Sequence, residues 1–353
     1  MSLTLNISGR TIGKGHAPYV ICELSANHNG SLNQALKMID VAADTGADAI
    51  KIQTYKPDTI TLDASTDDFV IQDGLWKGRR LYDLYEEAQT PFEWHKPLFD
   101  RARERRITLF SSPFDFSAVD LLEDLGAPAY KVASFECVDL PLIRYIASTE
   151  KPMIISTGMA DESEISEAVE AAREGGCKEL ALLLCVSGYP APAADYNLAT
   201  IPDMVSRFNV PVGLSDHTLD NTTAIASVAL GGSLIEKHFT LDRNAGGPDD
   251  SFSLEPQEFA TLCSSARTAW EAMGQVDYGQ KSSERSNVKF RRSLYFLRDL
   301  KAGETIGAND VRSVRPGFGV APKHLDKIVG QTLVADVSAA TPVTIDVLSD
   351  GIK

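Results

Sequence analysis

Eight short apolar segments, each followed by a helix-like stretch, constrain the fold of this chain most strongly. The stretches between them are amphipathic, as in SLNQALKMIDVAADTGA at 31–47, and continuous apolar runs that alternate with such stretches are typical of parallel βα units. The predicted strands cover residues 19–25, 48–54, 107–113, 129–136, 151–158, 180–187, 210–218 and 233–240. Eight units within about 250 residues predict an α/β fold, a (β/α)₈ TIM barrel. An open doubly wound sheet is the main alternative, but no G-x-G-x-x-G follows the first strand to support it.

Polar residues end nearly every predicted strand. A single polar strand end is often only a loop that begins early, but the carboxyl ends of all eight barrel strands converge on one active site. The clearest case is GSLIEKHFTL at 232–241, where three ionisable residues that are costly to bury follow an apolar run. We therefore expect the site residues at the strand ends to be Glu23, Lys51, Gln53, Lys131, Ser134, Glu136, Ser156, Ser187, Ser215, His217, Glu236 and His238.

Two further segments depart from the barrel pattern. Residues 55–90 form an abnormally long connection, and loops beyond about 15 residues in a compact domain are usually functional. We expect a lid or specificity loop over the barrel mouth, with a solvated insertion as the alternative. After the barrel domain (1–276), a polar linker (277–292) leads to a small β-rich domain (293–353) with Gly and Pro turns. There Arg315 lies in the turn VRPGFG, which would fix its direction.

Composition excludes several classes of partner and compartment. The net charge of −15 argues against nucleic acid or an anionic membrane as the main partner. No apolar run resembles a signal peptide or approaches membrane-spanning length. The five cysteines contain no C-x-x-C pair, which predicts reduced thiols in a cytoplasmic protein.

Two histidines suggest a metal site. His217 and His238 end the seventh and eighth predicted strands, which are neighbours in a barrel. Two imidazoles with nearby carboxylates suit a divalent metal ion with open positions. With only two protein nitrogens, Mn²⁺ is the first expectation and Mg²⁺ or Co²⁺ the alternatives, rather than a closed zinc site. Histidines that are merely hydrogen-bonded among polar strand ends are the structural alternative.

Two lysines suggest an anionic substrate. Lys51 and Lys131 could face the barrel axis and, with nearby serine hydroxyls, bind a phosphate or a carboxylate. The alternation of side chains along a strand places Glu236 with His238 on one face and turns Lys237, like Asp216, the other way. A class I aldolase with a Schiff base on either lysine is a rival enzyme class. A binding protein that has lost turnover is the non-enzymatic alternative.

Seven motifs closely resemble the sialic acid synthase family: ICELSANHNGS, ADAIKIQTY, AYKVASFE, IISTGMA, GLSDHT, IEKHFTLDR and GGPDDSFSLEP. Members of that family condense phosphoenolpyruvate with an N-acetylated amino sugar and make nine-carbon 2-keto sugar acids. The resemblance covers almost the whole chain, because the family carries an antifreeze-like (SAF) domain where residues 293–353 lie here.

The resemblance implies a role for individual residues. The metal ligands of the family match His217 and His238. Its phosphoenolpyruvate contacts match Lys51, Lys131, Ser134, Ser156 and Ser215. The groups around its sugar match Glu23, Gln53, Glu136, Tyr189 and Asp249. Arg315 resembles the arginine that the SAF domain lends to the active site of the partner subunit in a domain-swapped homodimer.

The motifs also favour one branch of the family. Ser187 in CVSGYPAP stands where the N-acetylneuraminate branch usually carries an asparagine, so one phosphoenolpyruvate contact differs. The segments ELSANHNGS and DSFSLEP look more like the pseudaminic acid branch, whose substrate is 2,4-diacetamido-2,4,6-trideoxy-altrose. Trp76 and Phe252 are the expected apolar neighbours of the methyl group of that sugar. The legionaminate and N-acetylneuraminate branches are the alternatives.

The two lines of reasoning together imply a mechanism. A metal ion at the histidines would make the aldehyde carbon of the open-chain sugar electrophilic. Carbon 3 of phosphoenolpyruvate would attack that carbon, and water, assisted by Glu23 or Glu236, would add at carbon 2. Phosphate would then leave by C–O cleavage, while the lysines and serines hold the anionic groups and Arg315 adds positive charge.

Overall fold

A computed structural model describes residues 3–352, which divide into two compact units, Met1–Gly274 and Gln275–Lys353. The sequence-based boundary of the barrel domain lay at residue 276, close to this division. Within the described range, no helix combines the length and the apolar character that a membrane crossing would need.

The first unit begins with a β-hairpin that the sequence analysis did not identify. Strands β1 (Thr4–Ile7) and β2 (Arg10–Gly13) pair antiparallel. Both turn residues, Ser8 and Gly9, have positive φ, as a two-residue hairpin of type I′ requires. The apolar side chains of the hairpin pack with residues from the starts of the barrel strands, including Tyr19, Ala49 and Leu234. The hairpin therefore closes the N-terminal end of the barrel.

Eight parallel strands close into a barrel in the order β10-β3-β4-β5-β6-β7-β8-β9, so the expected TIM barrel is confirmed. The strands are β3 (Tyr19–Glu23), β4 (Ala49–Thr54), β5 (Thr108–Pro113), β6 (Tyr130–Val132), β7 (Met153–Ser156), β8 (Leu180–Cys185), β9 (Val212–Asp216) and β10 (Leu234–His238). Most of the predicted strands extend beyond the observed ends, and the fourth does so the most. There Ser134–Val138 forms a 3₁₀ helix rather than the end of a strand.

Among the described residues, eight helices cover the outside of the barrel, and their apolar faces form the main core with the strands. They are α1 (Leu32–Asp44), α4 (Phe92–Arg105), α5 (Phe116–Asp124), α6 (Leu140–Ala147), α7 (Glu162–Glu174), α8 (Thr200–Phe208), α9 (Thr222–Ala229) and α10 (Pro256–Met273), whereas α2 (Pro57–Ile60) and α3 (Leu81–Ala88) lie in the insertion between β4 and α4. Helix α7 shows how the sequence specifies one of them. Asp161 caps its amino end by accepting from the Glu164 amide at 3.0 Å, and Ile165, Ala168 and Val169 form its buried stripe.

The insertion 55–90 contains more regular structure than a plain loop. It includes α2, α3 and a bridge between Val70 and Arg80. Arg80 also forms ion pairs with Asp63 at 2.8 Å and Asp83 at 2.5 Å, which tie the middle of the insertion to the start of α3.

The second unit has a small apolar core of its own, with Leu294, Phe296, Ile306 and Leu333 among its members. It contains the antiparallel pair β11 (Ser293–Phe296) and β12 (Val311–Val314) and the short helix α11 (Leu325–Ile328). The segment predicted as a plain linker, 277–292, contains a 3₁₀ helix, Ser282–Phe290, with no buried residue.

Candidate active site

Four buried charged side chains, one each from the barrel strands β3, β4, β6 and β10, lie close together. The Lys51 ammonium lies 2.7 Å from Glu23 Oε2 and 3.6 Å from Glu236 Oε1. Lys131 Nζ lies 3.8 Å from Glu236 Oε1. The parallel register places Glu23 beside Lys51, so neighbouring strands bring opposite charges together. We call Glu23, Lys51, Lys131 and Glu236 the inner cluster.

Burial and mutual attraction act in opposite directions on these groups. Burial lowers the pKa of Lys131, because it disfavours the ammonium form and Lys51 repels it. Burial also acts against charged Lys51, but Glu23 and Glu236 outweigh it and raise the pKa of Lys51. Burial would raise the pKa of Glu236, yet the two ammonium groups lower it. Burial raises the pKa of Glu23 although Lys51 acts against it, so the four groups do not respond alike. The two lysines are the part of the cluster that could bind an anionic ligand.

Serine hydroxyls collect beside Lys131, around a glycine that the sequence analysis did not single out. The amide of Gly158 donates to Ser134 Oγ at 3.2 Å. A Cβ atom at Gly158 would lie 2.8 Å from Ser134 Oγ and even closer to Ser187 Oγ, so only glycine lets these hydroxyls approach. Ser156 Oγ is buried and has no hydrogen-bond partner among the described residues. These hydroxyls can donate hydrogen bonds to a phosphate or a carboxylate.

The two histidines face each other with their ring centroids 5.4 Å apart. His217 Nδ1 lies 2.8 Å from the Val186 carbonyl. Burial would lower the pKa of His217, but a hydrogen bond with Cys185 raises it. As a metal ligand, His217 would use Nε2 and give up this contact with Cys185. His238 Nδ1 is buried without a hydrogen-bond partner in the described part of the chain and lies 3.9 Å from Asp249 Oδ2. Burial lowers the pKa of His238 well below its usual value. A neutral imidazole with an unused nitrogen fits a divalent metal ion.

The side chains around the two histidines do not form a closed metal site. Over residues 3–352, no group of three or more His, Cys, Asp or Glu side chains could hold a metal ion. Two nitrogen donors fit an ion that takes its remaining ligands from substrate and water, rather than a structural zinc.

The same strand end carries a second buried charge pair on the opposite face. Lys237 Nζ donates to Asp216 Oδ2, the Thr218 carbonyl and the Asp220 carbonyl, each at 2.7 Å. Asp216 also accepts from the Thr218 amide at 2.9 Å. We call Asp216 and Lys237 the outer pair. Their expected orientation, away from Glu236 and His238, agrees with these contacts.

A cavity of about 480 Å³ opens beside His238. Four of the sugar-site candidates line it: Gln53, Glu136, Tyr189 and Asp249. Gln53 Nε2 donates to Glu23 Oε1 at 3.1 Å and to Ser25 Oγ at 3.0 Å. Ser25 in turn donates to Asp249. Burial raises the pKa of Glu136 to about 7, and its Oε2 has no partner among the described residues.

Comparison with protein families accounts for this arrangement. The model of the NeuB family matches residues 38–278. The chain belongs to the NeuB family. The expected membership of the sialic acid synthase family is confirmed, and with it the expectation of an enzyme. The SAF domain model matches residues 291–348, so the expected antifreeze-like domain is confirmed as well.

Several relatives of this NeuB-family chain are named as sugar acid synthases. It is 44% identical over 321 residues to the pseudaminic acid synthase of Campylobacter jejuni, covering 90% of this chain and 93% of the relative. It is 37% identical over 316 residues to the N,N'-diacetyllegionaminic acid synthase of C. jejuni, covering 88% and 94%. A crystal structure of N-acetylneuraminic acid synthetase from Leptospira borgpetersenii, in complex with citrate, matches with a TM-score of 0.73 and 30% identity, covering 82% of this chain and 96% of that one.

In the SAF domain of this NeuB-family chain, Arg315 is exposed directly after β12. Ser293 Oγ donates to the Pro316 carbonyl at 2.7 Å and accepts from the Gly319 amide at 2.9 Å. A Cβ atom at Gly319 would meet the Leu294 carbonyl at 2.5 Å. The turn that carries Arg315 is therefore held on both sides, as the VRPGFG motif predicted.

Sequence reasoning missed several residues that support the site. The Tyr196 hydroxyl accepts from the His217 amide at 2.7 Å. Burial would raise the pKa of Cys185, but a hydrogen bond and the positive charge of His217 lower it to about 7. Ser25, Tyr196 and Cys185 come from segments that are far apart in the chain. Only Cys185 had a signal in the sequence: it lies two residues before Ser187, so the alternation of side chains along β8 places both on the same face.

Proposed function

We propose that this chain is a pseudaminic acid synthase. It would condense phosphoenolpyruvate with 2,4-diacetamido-2,4,6-trideoxy-altrose and water, giving a nine-carbon 2-keto sugar acid and phosphate. The observation that carries the proposal is the inner cluster, two buried lysines and two buried carboxylates beside paired histidines and a sugar-sized cavity. The higher identity to a pseudaminic acid synthase than to a legionaminic acid synthase supports the choice of sugar.

Phosphoenolpyruvate would bind at the lysines. Lys51 and Lys131 supply positive charge in a buried site, where charge-assisted hydrogen bonds are strong. The hydroxyls of the serine group give neutral donors that orient the phosphate and the carboxylate without adding charge: Ser134, Ser156, Ser187 and Ser215. The unpartnered Ser156 hydroxyl is free to donate to such a ligand.

The chemistry forms one C–C bond and breaks one C–O bond. The C2=C3 π electrons of phosphoenolpyruvate bond to the aldehyde carbon, and the aldehyde oxygen takes a proton and becomes a hydroxyl. A water oxygen bonds to carbon 2 and releases a proton to Glu23 or Glu236, the carboxylates of the inner cluster. The C2–O bond to phosphate then breaks, phosphate leaves, and the remaining hydroxyl loses its proton to give the ketone.

His217 and His238 would hold a divalent metal ion, Mn²⁺ first, with Asp249 nearby. Such an ion supplies Lewis-acid polarisation of a carbonyl oxygen. The Val186 carbonyl and the Tyr196 hydroxyl position His217, one through its ring and one through its backbone amide. Electron paramagnetic resonance of Mn²⁺ should show binding to the wild type and its loss in His238→Ala, together with loss of turnover. Full activity of that variant with metal present would remove the metal role.

Arg315 and the second subunit are part of the same proposal. We propose a cytoplasmic, domain-swapped homodimer in which Arg315 of each SAF domain supplies charge stabilisation to the active site of the partner. The support is the fixed turn around an exposed arginine. Mixing inactive His238→Ala with inactive Arg315→Ala subunits should restore part of the activity, because one of the two sites in a mixed dimer is then intact.

The direct test is phosphate release from phosphoenolpyruvate with Mn²⁺ and three sugars. These are 2,4-diacetamido-2,4,6-trideoxy-altrose, 2,4-diacetamido-2,4,6-trideoxy-mannose and N-acetylmannosamine, with products identified by mass spectrometry. Turnover confined to the first sugar would support the proposal. Preference for either of the others would assign the chain to the legionaminate or N-acetylneuraminate branch.

A Schiff-base aldolase is the rival of another class, and one observation favours it. Burial lowers the pKa of Lys131, as an amine nucleophile requires. Borohydride reduction in the presence of substrate would trap a Schiff base as a stable adduct on the protein. A condensing synthase would show no such adduct by mass spectrometry.

A further inference from the structure

The insertion 55–90 supplies an apolar wall to the cavity beside His238. Eight of its residues line that cavity: Tyr55, Ile60, Ile71, Trp76, Leu81, Leu84, Tyr85 and Ala88. The insertion also donates one anchoring hydrogen bond, from Trp76 Nε1 to the Pro248 carbonyl at 3.0 Å. That bond joins the wall to the segment next to Asp249, which lines the same cavity. The wall is therefore part of the site and not a solvated insertion.

Outside the insertion, the lining of this cavity is mixed, and its polar members are Gln53, Glu136, Asp249 and His238. Glu136 Oε2 is buried without a hydrogen-bond partner in the described chain, so it can accept from an N–H or O–H group of a ligand. A ligand in this cavity can therefore donate hydrogen bonds to these groups and place apolar groups against the wall.

We propose that the wall of the insertion selects sugars by the apolar group at the end of the chain remote from the aldehyde, with Ile71 and Leu81 as specificity-determining residues. This inference rests on the proposed function, since it takes the aldehyde to lie at His238. One cavity holds both His238 and the wall, so the remote end of the sugar meets the aliphatic side chains. A methyl group buries apolar surface there, whereas a hydroxymethyl oxygen would lose its hydrogen bonds to water.

An apolar wall can discriminate only modestly between two sugars that differ by one hydroxyl. An apolar pocket rejects a ligand that adds only a hydroxyl by a factor of about 100 or less. We therefore expect the 6-deoxy sugar to be preferred over its 6-hydroxy counterpart by between about 10-fold and 100-fold in kcat/KM. The pair to compare is 2,4-diacetamido-2,4,6-trideoxy-altrose and 2,4-diacetamido-2,4-dideoxy-altrose, which differ by one oxygen atom.

Two variants and a matched control test the assignment. Leu81→Asn keeps the side-chain size and puts an amide into the wall, and it should lower the preference for the 6-deoxy sugar about tenfold. Ile71→Thr, in the loop before α3, should act in the same direction if Leu81→Asn folds poorly. Leu75→Asn makes the same chemical change at an exposed position of the insertion that does not line the cavity, and it should leave the preference unchanged. An unchanged preference in both wall variants would overturn the inference.

A binding measurement separates this inference from the proposed function. The alditols of the two sugars lack the aldehyde and cannot react, so calorimetric titration in the presence of phosphoenolpyruvate reports recognition alone. Tighter binding of the 6-deoxy alditol, weakened in Leu81→Asn, would support the wall even in a protein that turns over neither sugar. Equal binding of the two alditols, or none of either, would overturn the inference even in a protein that turns over the proposed sugar.

Discussion

The inner cluster and the outer pair are both made of buried charges on barrel strands, and β10 contributes to each of them, yet their partners differ. In the outer pair, Lys237 has three acceptors at 2.7 Å, and the Asp216 carboxylate accepts from both Lys237 and Thr218. In the inner cluster, Lys131 donates to a single acceptor, the Val132 carbonyl at 3.1 Å, and its carboxylate neighbour lies 3.8 Å away. Glu236 Oε2 has no hydrogen-bond partner in the described structure.

This difference fits a structural role for the outer pair and, under the proposed function, a ligand-binding role for the inner cluster. A buried ion pair stabilises a fold only when its remaining hydrogen bonds are made, as they are for Lys237. A buried group that lacks partners lowers stability until a ligand supplies them. The alternation of side chains along β10 puts the two kinds on opposite faces of one strand, with Glu236 and His238 inward and Lys237 outward.

Lys131→Met should separate activity from stability most strongly. The loss of one preorganised charge is expected to lower kcat/KM by about 100-fold to 1,000-fold. The free energy of unfolding should stay equal or rise, because Glu236 keeps Lys51 at 3.6 Å and the repulsion between the two lysines disappears. Steady-state kinetics and urea denaturation measure the two effects. Wild-type kcat/KM in this variant would contradict the assignment of Lys131 to the anion site.

Lys237→Met should lower the free energy of unfolding. It leaves Asp216 buried without its cation, which typically costs about 3 to 5 kcal/mol in the free energy of unfolding. Urea denaturation of this variant beside Lys131→Met gives the comparison directly, since both replace a buried lysine with the same residue. Equal stability losses in the two variants would show that the inner and outer charges do not differ in the way their contacts indicate.

Phosphoenolpyruvate should stabilise the folded protein through the inner cluster alone. At 100 times its Kd, a ligand that binds only the folded state adds about 2.7 kcal/mol to the free energy of unfolding. We expect this increment in the wild type and in Lys237→Met, provided that it is folded before the titration, but not in Lys131→Met. Denaturation curves with and without the ligand measure it. An undiminished increment in Lys131→Met would place the anion elsewhere.

Glu136→Gln should change how stability depends on pH. Burial raises the pKa of Glu136 to about 7 from its usual 4.5, so the folded state holds the proton more tightly than the unfolded state. The resulting stabilisation is fully present below pH 4.5 and is lost as the pH rises through 7. Glutamine mimics the protonated form, so the variant should be more stable than the wild type by about 1 to 3 kcal/mol at pH 8 and no different at pH 4.5. Parallel stability curves across this range would contradict the prediction.

The sequence predicted the barrel because each buried strand needs a continuous apolar run and each covering helix an amphipathic one. It failed where that rule does not apply. Residues 134–136 (Ser-Phe-Glu) look like a strand end but form part of a 3₁₀ helix. The short hairpin β1–β2 has too few residues to show a period. The site residues were identifiable by type at strand ends. Their pairing was not, because the distance between Lys51 and Glu236 depends on how β10 closes onto β3.

Side chains that reach the site from outside the strand pattern could not be found in this way. Gly158 was invisible because its function is to lack a side chain. The wall residues lie in an insertion with no apolar period, and only α3 has a recognisable amphipathic face, with Leu84 buried. Their position at the cavity depends on the anchor between Trp76 and Pro248, which links segments far apart in the chain.

Because the hairpin β1–β2 closes the N-terminal end of the barrel, ligands enter and leave the site through the opposite end, at the carboxyl ends of the strands. Lys51 precedes Gln53 by two residues on β4, which places it about 7 Å deeper along the strand. A ligand held at Lys51 therefore lies deeper than one held at Gln53, and the outer ligand covers the inner one. Under the proposed function, this depth implies an ordered mechanism in which phosphoenolpyruvate binds before the sugar.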